Sequence, residues 1–180
     1  MAIRPKLHPA TVQVLSEMYS ADRLQGTENP EPIDFHKAAR VKIRQGSQIN
    51  QIMRSRGAHK SMEIGFAYGF STVWMLDALN GQDQALHVAI DPFEKTQLGG
   101  IGLYQTARLP YSVKFEWIED YSIHALSGLI KQKAKFDFIF IDGNHRVDDA
   151  LMDFYLSDQL LAPWVIIAFD DVCARCPYRR

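Results

Sequence analysis

The feature that most constrains the fold is a pair of apolar runs, "FDFIFI" at 136–141 and "WVIIAF" at 164–169. Runs with almost no polar alternation belong to strands buried on both faces, as in a parallel sheet lying between layers of helix. The intervening sequence keeps the same rhythm. "SMEIG" (61–65) and "ALHVAID" (85–91) read as strands, and "SVKFEWIE" (112–119) alternates as a strand does. "STVWMLDAL" (71–79) and "SIHALSGLIKQK" (122–133) read as helices, the first with Val73 and Leu76 facing inward, and "GGIGLYQTARL" as a loop and helix. Val147, Leu151, Phe154 and Leu161 are expected to lay a further helix face on the core. Strands alternating with helices give an α/β fold with a parallel sheet covered on both sides. A length of 180 residues suits one such domain.

Before this core, Val12, Leu15 and Tyr19 fall at helical spacing, with Thr11 as a candidate cap, and "QGTENPEPID" (25–34) reads as a loop. From His36 to Lys60 there are seven Lys or Arg and no acid, which reads as one or two surface helices. The net charge of −1 supplies no global field toward nucleic acid or membrane. No apolar stretch approaches the roughly 20 residues of a membrane span, and "MAIRPKLHPA" has no signal-peptide core. The two cysteines, Cys173 and Cys176, make no disulfide framework, so a reducing cytoplasm is the expected compartment. Zinc would need more ligands than this C-x-x-C, and the pair reads as two thiols without assigned chemistry.

Ligands of an open parallel sheet bind beyond the carboxyl ends of its strands. Those ends carry Gly65, Asp91, Asp142, and Asp170 with Asp171. Aspartate is also common in turns, so each acid alone has a plain structural reading. The loop G-F-A-Y-G at 65–69 departs from the dinucleotide pattern G-x-G-x-x-G. Ala67 stands at the second glycine and the third is missing, which makes a poor pyrophosphate cradle. Gly65 and Gly69 still admit a ligand close to the backbone. A carboxylate at Asp91 can accept hydrogen bonds from both ribose hydroxyls. A nucleoside without phosphate fits this set better than NAD.

The ordered set E-x-G-x-x-x-G-x-S-T, Asp91, "FDFIFIDGNH", "DDALMDFYLSDQLLAP" and "IIAFDDV" resembles the S-adenosylmethionine (SAM)-dependent methyltransferase superfamily. It is most similar to small O-methyltransferases of the catechol and caffeoyl-CoA type and their natural-product relatives, over about residues 40–172. The resemblance implies a Rossmann-like three-layer sandwich with a mostly parallel sheet of order 3-2-1-4-5. It implies a single domain, with a helical segment at 1–57, a cofactor-binding core at 58–172 and a tail at 173–180. Glu63, Gly65, Ala67, Gly69 and Ser71 would hold the methionine part of the cofactor, Asp91 its ribose, and Tyr121 and Ser122 would lie along the adenine. Asp142 would belong to the same site. "QGSQI" (45–49) looks like a diverged family motif, although Gly46 also reads as a simple helix break.

Asp142, Asp170 and Asp171 match positions that ligate Mg²⁺ in metal-dependent members. Hard divalent cations favour such oxygen donors; the other reading is a turn at Asp142 and a helix cap at 170–171. His145 stands where those enzymes carry a lysine that takes the substrate proton. An imidazole with a pKa of about 6.5 suits that work, and an exposed loop histidine is the plain reading. His87 and His124 read as structural. The family usually ends its sheet with an antiparallel hairpin, and only nine residues follow Asp171. The 164–169 strand is therefore expected to be a bare apolar edge, which predicts a homo-oligomer. The expected function is O-methylation of a small hydroxylated acceptor, assisted by Mg²⁺ or another divalent cation. The alternatives are a non-catalytic cofactor-binding or oligomerisation module, and an RNA methyltransferase using the basic stretch.

Overall fold

A computed structural model describes residues 6–170, with Trp164 described by its backbone alone. The chain opens with helix α1 (Pro9–Ser20), a two-stranded ribbon β1 (Arg23–Leu24) and β2 (Ile33–Asp34), a short 3₁₀ turn (Lys37–Ala39) and helix α2 (Ile43–Arg56). The alternating core follows: β3 (Lys60–Ile64), α3 (Phe70–Leu79), β4 (Leu86–Ile90), α4 (Ile101–Ala107), β5 (Lys114–Ile118), α5 (Ser122–Lys131), β6 (Phe136–Ile141), α6 (Val147–Asp158) and β7 (Leu161–Phe169). The five long strands form one sheet of order β5-β4-β3-β6-β7, every pair parallel. Counting core strands in sequence, this is the expected order 3-2-1-4-5.

The period of two along each strand divides the core into two layers. Phe138 and Phe140 face one layer, packed with Val14, Met18, Met53 and the residues of α3. Ile139 and Ile141 face the other, with Met62, Ile64 and the inner side of α5. Helix α3 lies between the sheet and the helices α1 and α2, and all ten of its residues are buried. The sequence singled out only Val73 and Leu76, because a helix covered on both sides carries no amphipathic stripe.

Three local readings are corrected. The N-cap of α1 is His8, whose Nδ1 accepts from Ala10 N–H, while Thr11 is buried and hydrogen-bonds Tyr111. Gly46 does not break a helix: it sits inside α2, where a Cβ would overlap the Trp74 indole. The expected core face of α6 points outward, with Val147 84% and Leu151 65% exposed, and Leu161 belongs to β7. The inward residues of α6 are instead Asp153 and Ser157. Among the described residues β7 is a sheet edge, beside the exposed face of α6, and Phe154 of that helix meets Phe169 at 5.7 Å between ring centroids.

No described helix is long and apolar enough to cross a membrane. The basic stretch is partly committed internally. Arg54 pairs with Asp77 (Nη2–Oδ2 2.8 Å), Lys37 pairs with Asp22, and Arg40 donates to the Tyr19 carbonyl at 3.2 Å.

Candidate functional site

The sheet register builds the site. Ile118, Ile90, Ile64, Ile141 and Phe169 lie in one row across the five strands. The residues one step further along the chain therefore form the carboxyl rim, and four of them are Asp91, Gly65, Asp142 and Asp170. All four are tied to the row by backbone hydrogen bonds. Asp91 N–H donates to Ile118 O (3.1 Å), Gly65 to Ile90 O (2.9 Å), Asp142 to Ile64 O (2.9 Å) and Asp170 to Ile141 O (3.0 Å). The order of strands reverses between β3 and β6, where Gly65 and Asp142 meet. A Cβ on Gly65 would collide with the Asp142 carbonyl, and φ at Gly65 is +92°, so glycine is required there on two counts.

A cavity of about 780 Å³ opens over this rim. Gly65, Ala67, Ser71, Asp91, Tyr121, Ser122, Asp142, His145 and Asp170 all line it, so the rim brings nearly all of the expected site residues together. The volume lies within the range typical of pockets for drug-sized or cofactor-sized ligands.

The loop 65–69 is fixed by the rim acid. Ala67 N–H donates to Asp91 Oδ2 at 2.9 Å and Phe93 N–H to Oδ1 at 2.8 Å. Each carboxylate oxygen retains a lone pair, so Asp91 can hold the loop and still accept ligand hydroxyls. Burial pushes its carboxyl up, against the pull of the Ala67, Phe93 and Phe66 backbone N–H groups, and the nearby Glu63 adds like charge. Ala67 itself lies at φ +43°, which aligns the loop for these contacts.

Two expected cofactor residues stand elsewhere. Glu63 is fully buried behind the loop and is not on the cavity wall. Met62 and Ile64 face the α5 layer, so the alternate residue Glu63 must face α3. There its carboxylate accepts from Ser71 Oγ (2.6 Å) and Thr72 Oγ1, with His87 Nε2 at 3.1 Å. Glu63 anchors the start of α3 and positions Ser71, which itself lines the cavity. Gly69, at φ +77°, is the N-cap of α3 and packs against Gly102 of α4, where a Cβ would lie 3.0 Å from the Gly102 Cα.

The structure adds residues the sequence did not reveal. Phe93 lines the cavity and meets Tyr121 edge-on, 6.0 Å between centroids at 87°, an aromatic pair at the mouth. His124 faces the cavity rather than the core. Asp153 reaches the wall from the inner side of α6, and Arg40 from the segment before α2. Phe93 lies two residues past a strand-end acid, a position that could have been flagged. Arg40 and Asp153 come from distant segments and carried no local signal.

The residues fit a SAM-type ligand: a turn at Gly65–Ala67 that lines the cavity, a rim carboxylate, and an aromatic pair at the mouth. The metal reading is less complete. Asp142 and Asp170 supply hard oxygen donors from adjacent strands, but no group of three His, Cys, Asp or Glu suited to a metal forms among the described residues. Asp170 Oδ1 already accepts from Gln45 Nε2 at 2.6 Å. Asp171, Cys173 and Cys176 lie outside the described residues.

Residues 62–172 match the family model described as a methyltransferase domain. The match covers more than half of the chain, and the chain belongs to this family. No curated protein sequence matches it. Among solved structures, the O-methyltransferase from Bacillus cereus in complex with S-adenosylhomocysteine (SAH) is 23% identical, with TM-score 0.66 over 92% of this chain and 67% of that one. SAH-bound PaMTH1 from Podospora anserina is 21% identical, with TM-score 0.65 over 91% and 62%. SAM-bound TomG from Streptomyces achromogenes, involved in tomaymycin synthesis, is 20% identical, with TM-score 0.61 over 91% and 66%. At these identities the likeness is one of fold, and this chain spans about two thirds of the length of those proteins.

Proposed function

We propose that this chain binds SAM and transfers its methyl group to the oxygen of a small hydroxylated acceptor. The observation that carries the reading is the rim: register places Gly65, Asp91, Asp142 and Asp170 in one row, under a cavity large enough for the cofactor and an acceptor. When bound, the cofactor supplies an electrophilic methyl on a sulfonium, which needs no activation by the protein. The chain's work is placement and proton handling. Asp91 accepts the ribose hydroxyls while its bonds to Ala67 and Phe93 keep the loop in register. Phe93 and Tyr121 offer apolar faces to the adenine end. At the other end, the imidazole nitrogen of His145 takes the acceptor's proton, so that the oxygen is charged only as it reacts.

A divalent cation at Asp142 and Asp170 is the finer part of this proposal, supported by donor chemistry alone, and no step above depends on it. A second copy pairing along β7 and the outward apolar face of α6 is likewise proposed, because among the described residues β7 is a sheet edge next to exposed Val147 and Leu151, which favours strand or helix pairing. The direct test is transfer of labelled methyl from SAM to a panel of catechols and phenols, with Mg²⁺ and with EDTA. Turnover supports the reading. No transfer to any acceptor, despite tight SAH binding, favours the non-catalytic module.

A further inference from the structure

A chain of buried polar groups runs from the core to the cavity wall. Ser61, Glu63 and His87 are all fully buried, and none of them lines the cavity. Ser61 and Glu63 share one face of β3, and register sets His87 of β4 directly beside Ser61. The His87 ring bridges the two. Nδ1 lies 2.7 Å from Ser61 Oγ and Nε2 3.1 Å from Glu63 Oε1, while Phe115 stacks on the ring at 5.9 Å between centroids. With the hydrogen on Nε2, the imidazole donates to Glu63 and accepts from the Ser61 hydroxyl. Glu63 also accepts from Thr72 Oγ1 and, at 2.6 Å, from Ser71 Oγ, and Ser71 lines the cavity. A buried carboxylate is costly unless its lone pairs are met. Among the described residues no Lys or Arg pairs with Glu63, so these three side chains hold it.

Ser71 belongs to the segment leaving β3, and β3 lies between β4 and β6 in the sheet. The ribose is assigned to Asp91 at the end of β4, and the acceptor to His145 in the loop after β6. The part of the cofactor nearest Ser71 is therefore the sulfur with its amino-acid arm. We propose that His87 is a positioning residue: by orienting the Glu63 carboxylate it fixes the Ser71 hydroxyl against that arm, and so sets affinity for the arm without touching the ligand. The inference rests on the SAM-binding reading above. It accounts for a histidine in the middle of a strand whose next three residues, Val88, Ala89 and Ile90, are apolar and buried. Without the ring, Glu63 loses one of its three partners and can turn away from Ser71.

The test compares two ligands by calorimetry on the full chain, with melting temperature measured in parallel. SAH carries the amino-acid arm; methylthioadenosine has the nucleoside and sulfur but lacks the arm. His87→Gln places an amide N–H near the position of Nε2, can still donate to Glu63, and is expected to bind SAH within about threefold of wild type. His87→Asn is too short to reach Glu63. It is expected to weaken SAH about tenfold while methylthioadenosine stays within about twofold, so the ratio of the two affinities moves. Ser71→Ala should shift the same ratio, and adding His87→Asn to it should cause no further loss. A lowered melting temperature with an unchanged ratio makes His87 a packing residue and overturns the proposal. So do equal losses for both ligands, a Gln variant as weak as the Asn variant, or additive losses in the double variant. If His87→Asn does not fold, Ser61→Ala unties the far ring nitrogen and carries the same test: SAH weakened about threefold with methylthioadenosine spared supports the proposal, and an unchanged ratio overturns it. Wild-type protein that binds SAH no better than methylthioadenosine overturns it too. Wild type that binds neither removes the SAM-binding reading itself, a distinct result.

Discussion

Glu94 offers the sharpest test of the electrostatics beside the site. It follows Asp91 in the loop leading to α4 and is fully buried. Oε1 accepts from Leu103 N–H at 2.9 Å, while Oε2 has no hydrogen-bond partner among the described residues. Burial pushes the carboxyl from an ordinary 4.5 to about 8, the Leu103 and Gly102 N–H groups pulling down and Asp91 and Glu119 pushing up. Between those two values the folded chain holds a proton that the unfolded chain has released, so stability must fall as pH rises. The slope is about 1.4 kcal/mol per pH unit for one proton. Taken in full, the span amounts to roughly 4–5 kcal/mol; local relaxation and water entry reduce it, and about 2 kcal/mol is the working expectation. Glu94→Gln removes the titration and keeps the acceptor for Leu103. Urea unfolding of both proteins at about pH 5 and about pH 8.5 reads the effect. The variant should match wild type or fall slightly below it in acid, and exceed it by about 2 kcal/mol in base. A stability difference that does not change with pH would refute the reasoning. The loop matters beyond stability, because α4 presses Gly102 against Gly69 and the Phe66–Ala67 turn.

Other predictions follow from the rim and its supports. Gly65→Ala meets both a positive φ and the Asp142 carbonyl. It should cost about 3 kcal/mol, a fall of roughly 10 °C in Tm, with loss of SAH binding in calorimetry. Gly46→Ala drives a methyl into the Trp74 indole, and thermal unfolding should show a loss of about 1–3 kcal/mol while SAH affinity is kept, since the contact is packing and not ligand. His145→Ala should lower methyl transfer by about 10²–10⁴ with SAH affinity unchanged; a weaker SAH complex instead would make it a binding residue.

The parts legible in the sequence are those whose physics is local. Apolar runs gave strands, strand ends gave rim acids, and the broken glycine pattern 65–69 pointed away from a pyrophosphate. Sheet order came through the family resemblance, and the register then placed Asp91 and Asp142 on either side of Gly65, with Asp170 one strand beyond Asp142. What the sequence hid depends on which way a side chain turns in three dimensions. Glu63 adjoins the loop in sequence but faces α3, because its neighbours Met62 and Ile64 already occupy the opposite face. The stripe Val147, Leu151, Phe154 has helical spacing, yet α6 rolls it outward and buries Asp153, and no periodicity argument distinguishes an apolar face that meets the core from one that meets something else. Arg40 reaches the cavity from before the alternating core, a long-range placement that only the folded chain reveals.

The central claim is that the 65–69 loop and Asp91 form one clasp for a nucleoside carrying a sulfur side chain. Calorimetric titration of SAH into wild type and into Asp91→Ala tests it most directly. The account predicts saturable one-to-one binding by wild type, weakened at least about tenfold in the variant and declining in wild type as pH falls through the raised Asp91 pKa, since the carboxylate is the accepting form. No heat of binding with folded wild-type protein, or equal affinity in the two proteins, would contradict it.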